Sequence, residues 1–315
     1  MAKRIIGQYN GVSSGLLVVV FGAMHGNETA GVRALEELFQ LLAHEAAVNP
    51  DFVFNGNLIG LTGNLQAHSA GQRFLEKDLN RQWTDEQVRR VLEMEPAMRH
   101  GEDREIGELH DLICTAIRET SAETLVLLDL HTTSAEGGIF CIPIDSMASL
   151  RLAKELHAPV ILGLLEGIKG TLLDYASDNH FSVGGLPKQT LGAAFEAGQH
   201  EDPLSVSRSV SAIIACLKAC GCIGEADLDD GHDDILIQYS ASLPKVTALR
   251  YVHHIDPDDA FRMRPGYINF QPIQLGEYLA DDIRGPILAP DKGLILMPLY
   301  QSKGSDGFFI VDKVE

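Results

Sequence analysis

The chain has 315 residues, 45% of them hydrophobic and 22% charged, with a formal net charge of −19. That is the composition of a globular protein with ample core, not of a disordered chain. So acidic a balance excludes non-specific binding to nucleic acid or to an anionic membrane, which needs a basic face. It leaves room for an anionic small molecule, because a few arginines in a dry cleft outweigh distant, screened charge.

Lys3 and Arg4 precede the apolar run Leu16–Val20, but a polar stretch separates them, so residues 15–22 read as a buried strand and not a signal peptide. Residues 27–48 predict a helix, with Val32, Leu35, Leu38 and Leu42 at helical spacing and Asn27 as its cap. Further strands are expected over 55–64, 124–131, 158–164 and 189–198. A helix follows Asp202, with Pro203 in its first turn and Gly221 past its end. Strands alternating with helices predict an α/β fold with a largely parallel sheet. The acidic, turn-rich segment 224–234 reads as a linker. A boundary is therefore expected near residue 225, with one domain over 1–225 and a small β domain over 226–315 that has no helix from Ile235 onward. No stretch approaches the roughly 20 apolar residues of a membrane-spanning helix. The five cysteines are an odd number and a poor disulfide framework, which points to a reducing, cytoplasmic compartment. Cys216, Cys220 and Cys222 lack a second Cys/His pair at zinc-finger spacing.

Three polar groups fall at or just past the ends of predicted buried strands: His25 with Glu28, then His131, then Glu196. In open α/β sheets ligands bind at the carboxyl ends of the strands. A catalytic zinc takes three protein ligands, two N and one O being a common set, and keeps a further position open. A close H-x-x-E pair with a distant histidine meets that demand. Asp129 shares a strand face with His131 and is placed to accept the free ring N–H of a ligand histidine. An isolated H-x-x-E is commonplace, so the weight rests on what accompanies it.

With "DLNRQW" (residues 78–83) the chain resembles the succinylglutamate desuccinylase/aspartoacylase family, within the wider zinc carboxypeptidase group. "GAMHGNETAG", "GNLQAHSAGQRFLEKDLNR", "LLDLHTTS" and "FEAGQ" occur in the family's order across most of residues 16–200. The resemblance implies one zinc (Zn2+) per chain, held by His25, Glu28 and His131. It implies that Asn80 and Arg81 hold the carboxylate of the amino-acid half, and that Arg73 polarises the scissile carbonyl. It makes Glu196 the general base and acid, and Tyr300 a substrate-binding residue. The implied fold is a zinc-carboxypeptidase-like mixed, largely parallel sheet flanked by helices. A C-terminal β domain of barrel-sandwich type would wall the entrance, Lys292 in "PDKG" lacking the flanking methionines of a carrier lysine.

The implied activity is zinc-dependent hydrolysis of the amide bond of an N-acyl amino acid. The alternative is a metallocarboxypeptidase acting on a peptide C-terminus. Glu196 and Arg73 argue against a silent metal-binding protein, since binding alone needs neither. The expected partner is a small-molecule N-acyl amino acid, with no nucleic acid and no membrane. A homo-oligomer is compatible with the sequence, which does not set the assembly state. One departure bears on specificity. Family members acting on acidic substrates carry an arginine roughly ten residues before the catalytic glutamate, where this chain has Leu186, with Lys188 the only nearby cation. An acidic side chain is therefore expected to gain little. Blocking the substrate's α-carboxylate is expected to cost several kcal/mol, the guanidinium losing its charged partner. His200 and His232 stay unassigned.

Overall fold

The computed structural model describes residues 2–228, 231–256 and 258–314. Among them the strands are β1 (Ile5–Asn10), β2 (Leu16–Gly22), β3 (Asn57–Thr62), β4 (Thr124–Thr133), β5 (Phe140–Pro143), β6 (Val160–Leu162) and β7 (Gln189–Gln199). They continue with β8 (Val246–His254), β9 (Arg262–Met263), β10 (Gln271–Ile273), β11 (Tyr278–Asp282), β12 (Gly285–Leu288), β13 (Gly293–Leu296) and β14 (Asp306–Lys313). The helices are α1 (Ala30–Val48), α2 (Leu65–Ala70), α3 (Asp85–Glu93), α4 (Gly101–Thr120), α5 (Met147–Glu155), α6 (Leu164–Gly167), α7 (Leu172–Ser177), α8 (Leu204–Ala219) and α9 (His232–Ser240). None is long and apolar enough to cross a membrane.

One mixed sheet runs β1-β3-β2-β4-β7-β5-β6-β8-β14-β13-β10. Its central strands β3, β2, β4 and β7 are parallel. Side chains alternate between the faces of these strands, and both sets are buried. Leu17, Val19, Phe21, Leu125 and Leu127 pack with Ile106, Leu109, Ile113 and Ile117 of α4. Val18, Val20, Val126 and Leu128 pack with Leu35, Leu38 and Leu42 of α1 and Ile213 and Ile214 of α8. By the same alternation Asp129 and His131 of β4, and Glu196 of β7, fall on the α4 face at the carboxyl ends of their strands.

Three local expectations change. Helix α1 starts at Ala30 with Thr29 as its cap. Asn27 is outside the helix, and its amide donates to Gln301 Oε1 at 3.3 Å. Helix α9 occupies residues read as helix-free: Leu236 is buried against the α8 core, but one anchor in a short polar segment leaves little periodicity. The 158–164 strand shortens to Val160–Leu162. Asp229 and Asp230 of the expected linker lie outside the described residues.

Past residue 245 the chain adds to the same sheet. β8 pairs in parallel with β6, and β14, β13 and β10 follow antiparallel. A second sheet, β12-β11-β9, stands beside them. We propose that residues 226–315 nonetheless form a unit with its boundary near 225. They have a separate core of Met263, Ile273, Leu279, Ile295, Phe308 and Ile310, and a core of its own is what defines a domain.

Candidate metal centre and active site

Strand β2 ends at Gly22, and a turn closed by the Glu28 N–H on the His25 carbonyl (3.0 Å) folds the two side chains toward one point. Glycine is required inside that turn. A Cβ on Gly26 would lie 2.3 Å from backbone atoms of Ala67 and His68 in α2. Glu28 therefore sits in a turn before α1, not at the start of the helix expected over 27–48.

His25, Glu28 and His131 are all buried, and one potential ligand atom from each lies within 4.8 Å of the others. His25 Nδ1 is 2.9 Å from Glu28 Oε1, and His131 Nδ1 is 2.9 Å from Glu28 Oε2. The far ring nitrogens are held by other acids. His131 Nε2 lies 2.8 Å from Asp129 Oδ2, and His25 Nε2 lies 3.1 Å from Asp78 Oδ1. Such carboxylate partners fix the ring orientation of ligand histidines. The Thr132 N–H also donates to Glu28 Oε2 (3.1 Å). Burial works to raise the Glu28 carboxyl, but the imidazoles of His25 and His131 outweigh it and hold it well below its ordinary range. Burial likewise opposes the charged form of His131, and Asp129 and Glu28 override it, so that the ring's pKa stands well above normal. Two nitrogens and a carboxylate, buried, preoriented and open on a cleft, fit a catalytic zinc.

Asp78 is the residue that sequence reasoning missed, although "DLNR" contains it. Beyond His25 it accepts from Arg73 Nε and Nη2 (3.3 and 3.2 Å) and from the Asn80 backbone N–H (3.0 Å). One carboxylate thus orients a candidate ligand, the candidate oxyanion-binding arginine and the turn that carries Asn80 and Arg81. Burial would raise its pKa, and the His25 and Arg73 charges outweigh that, holding Asp78 well below its usual range. Behind this loop, buried Glu102 of α4 accepts from the N–H groups of Leu75, Glu76 and Lys77 at 2.7, 3.1 and 3.2 Å.

One cleft, enclosing about 820 Å³ out to open solvent, is lined by His25, Glu28, Arg73, Asn80, Arg81, Asp129, His131 and Glu196. Asn80 Oδ1 accepts from the Leu172 N–H (3.1 Å), leaving its amide group toward His131 (3.4 Å). Arg81 is half-engaged already: Nη2 donates to Asp306 Oδ2 at 2.7 Å and Nη1 to the Asn80 carbonyl at 2.8 Å. Tyr300 is not among the residues lining this cleft. Its hydroxyl bonds the Tyr267 N–H (2.8 Å) and the Arg264 and Tyr267 carbonyls (2.9 and 3.0 Å), and the neighbouring Gln301 lines the cleft instead. His200 stands behind the centre, 2.7 Å from the Thr132 hydroxyl. His232 lies far off in α9, by Ser211 (3.1 Å).

Residues 14–185 match the model of the succinylglutamate desuccinylase/aspartoacylase catalytic domain. The chain belongs to this family. A probable aspartoacylase of Acaryochloris marina is 32% identical over 149 residues, 46% of this chain and 45% of that protein. A succinylglutamate desuccinylase of Ectopseudomonas mendocina is 31% identical over 131 residues, 38% of this chain and 36% of that one. The chain thus aligns with less than half the length of these curated relatives. A succinylglutamate desuccinylase/aspartoacylase structure from Rhodobacter sphaeroides superimposes with a TM-score of 0.62 over 98% of this chain and 88% of that one, at 15% identity. That likeness extends the shared fold beyond the matched region into the C-terminal strands.

Glu196 stands apart from the other acids. It is buried, and among the described residues its Oε2 has no hydrogen-bond partner. Desolvation pushes its carboxyl up to about 8, with Glu28 and Asp129 adding to the rise against the pull of His131. An unfolded glutamate titrates near about 4.3, so between that pH and 8 the metal-free chain takes up a proton on folding. Stability complete below about pH 4 therefore drains away as pH rises toward 8, at up to about 1.4 kcal/mol per pH unit. In chelator, Glu196→Gln should stabilise the fold by about 2–4 kcal/mol at pH 7.5, and by almost nothing at pH 4. Denaturant unfolding of both proteins at the two pH values measures this. Equal stability at pH 7.5 would mean the buried carboxyl is not desolvated.

Proposed function

We propose that this chain is a zinc-dependent hydrolase that cleaves the amide bond of an N-acyl amino acid. The observation that carries the reading is the Glu196 carboxyl, buried and with a free oxygen, in the same cleft as the His25–Glu28–His131 trio and Arg73. A structural metal site needs no such acid.

When bound, zinc polarises a carbonyl and lowers the pKa of water toward about 7. The remaining work falls to the chain. Glu196 takes a proton from the attacking water and returns it to the departing amine, so that water's hydroxyl ends on the acyl carbon as the C–N bond breaks. Arg73, steadied by Asp78, faces the negative charge that develops on the carbonyl oxygen, a contribution commonly worth about 3–4 kcal/mol per donor. Asp129 and Asp78 keep the Nδ1 atoms of His131 and His25 turned toward Glu28. Arg81 and Asn80 receive the free carboxylate of the amino-acid half, the planar guanidinium matching it as an ammonium would not.

The test is a hydrolysis screen over N-acetyl, N-formyl and N-succinyl amino acids with zinc present, beside C-terminal dipeptides. Dipeptide cleavage without deacylation would favour the carboxypeptidase alternative. Blocking the α-carboxylate as an amide should lower kcat/KM by about ten- to a hundredfold, the value of one hydrogen bond to a charged group (about 1.5–3 kcal/mol). This is less than the sequence alone implied. Asp306 keeps Arg81 partnered even when the substrate's carboxylate is gone. An amide hydrolysed as fast as the acid would take Arg81 out of this role.

A further inference from the structure

We propose that the cleft selects substrates with a single carboxylate and an otherwise apolar body, and that Asp306 is the specificity-determining residue that turns away a second carboxylate. The inference rests on the deacylase reading and names the substrate class for it.

The charges lining the cleft are unbalanced. Its arginines are Arg73 and Arg81, and against them stand the carboxylates of Glu28, Asp129, Glu196 and Asp306. Both arginines are already paired, Arg73 with Asp78 (3.2 Å) and Glu28 (3.4 Å), Arg81 with Asp306 (2.7 Å). A divalent cation at the trio balances two of the four acids and leaves nothing over. One substrate carboxylate is accommodated by the unused N–H groups of Arg81. A second, on the side chain or the acyl group, meets no free cation among the described residues lining the cleft and faces the Asp306 carboxylate, whose side chain is only 8% exposed, instead. Burial makes such a charge costly unless it is paired.

The remaining walls point the same way. Ile142, Leu165, Ile168, Leu173, Met297 and Phe309 line the cleft, surfaces that hold an apolar group and offer a charged one nothing. Lys188 and Lys303, outside the lining, are engaged with other partners. Lys188 is 64% exposed and paired with Glu123 at 2.8 Å. It lies eight residues before Glu196 along β7, roughly 26 Å of extended strand. Lys303, beside the cleft's Gly304, donates to the Phe74 carbonyl (2.9 Å) and lies over that ring.

Asp306 enters from β14, 225 positions from Arg81. Its other oxygen is 2.8 Å from His254 Nδ1, on the exposed side. Its carboxylate is thus held in place from both sides as part of the wall.

The experiment compares kcat/KM for N-acyl-leucine, N-acyl-asparagine and N-acyl-aspartate at fixed ionic strength, using the acyl group hydrolysed fastest. Asparagine and aspartate differ in charge but hardly in shape, so their ratio isolates the electrostatic effect. Leucine should exceed asparagine, and asparagine should exceed aspartate by a hundredfold or more. In Asp306→Asn the asparagine/aspartate ratio should shrink at least tenfold, chiefly through the KM for aspartate, even if activity falls on every substrate because Arg81 is less well held. Asp306→Glu should restore the ratio. A purely structural role would lower all three substrates together and leave the ratio unmoved, which would overturn the assignment of Asp306. Aspartate matching or exceeding asparagine in the unaltered protein would overturn the substrate class while leaving the deacylase reading intact. If Lys303→Ala then abolished that preference, Lys303 would be the missing countercharge. Hydrolysis of none of the N-acyl amino acids would sink the deacylase reading itself, and this inference with it.

Discussion

Glu196→Gln should lower turnover by about 10³–10⁴-fold while zinc content and substrate KM stay near their original values. Positioned proton transfer typically contributes about 10²–10⁴, and this side chain is assigned two transfers, from water and to the amine. The amide keeps the shape of the carboxylate but accepts no proton. In the metal-free chain desolvation leaves the acid poised near 8. A dication at the neighbouring trio favours its ionised form, the one a base needs. The same substitution is expected to make the metal-free fold more stable, so loss of turnover cannot be put down to unfolding. Catalytic groups held in costly environments show this opposition between stability and activity. A glutamine variant with near-normal turnover and full zinc would remove Glu196 from the chemistry.

What could be read ahead of the structure was whatever depends on one strand or one turn. Apolar runs ending in His25, His131 and Glu196 mark strands buried on both faces, and the polar residue at each end marks the carboxyl edge of the sheet. Alternation alone puts Asp129 beside His131, and β4–β7 pairing sets His131 opposite Glu196. The stripe Ile106, Leu109, Ile113 and Ile117 of α4 is equally legible from its helical spacing. What could not be read depends on contacts between distant segments. No local pattern announces that Asp78 serves His25, Arg73 and Asn80 at once, or that Asp306 of the last strand clamps Arg81. Tyr300, outside the lining of the cleft, is the converse case. A matching position in the chain does not fix where a side chain turns, and the hydroxyl is held by its own unit's backbone. The continuation of the sheet through β6 and β8 was hidden for a similar reason. The linker-like composition of 224–234 describes its solvation and not what the strands after it pair with.

His131→Ala should remove most of the zinc, and grading it against Asp129→Asn makes the result specific to this trio. Zinc held by four ligands gains about 10–16 kcal/mol in apparent binding free energy. One ligand is then worth roughly 3 kcal/mol, on the order of a hundredfold in affinity or more. Asp129 does not touch the ion but orients the imidazole through the 2.8 Å contact at Nε2, and losses at such partners run about ten- to a hundredfold. The expected order of retained zinc after dialysis against a weak chelator is therefore unaltered chain, Asp129→Asn, then His131→Ala. The alanine variant also leaves Glu28 and Asp129 buried without their shared imidazole, and breaking a buried pair can cost about 3–5 kcal/mol of stability. His131→Gln, which refills the space with a polar group, separates loss of the ligand from loss of the fold. Circular dichroism on the same samples confirms that each variant is folded before its metal is counted. If a folded His131→Ala or His131→Gln protein held its full complement of zinc, the ion would lie elsewhere and the assignment of His25, Glu28 and His131 would fall together.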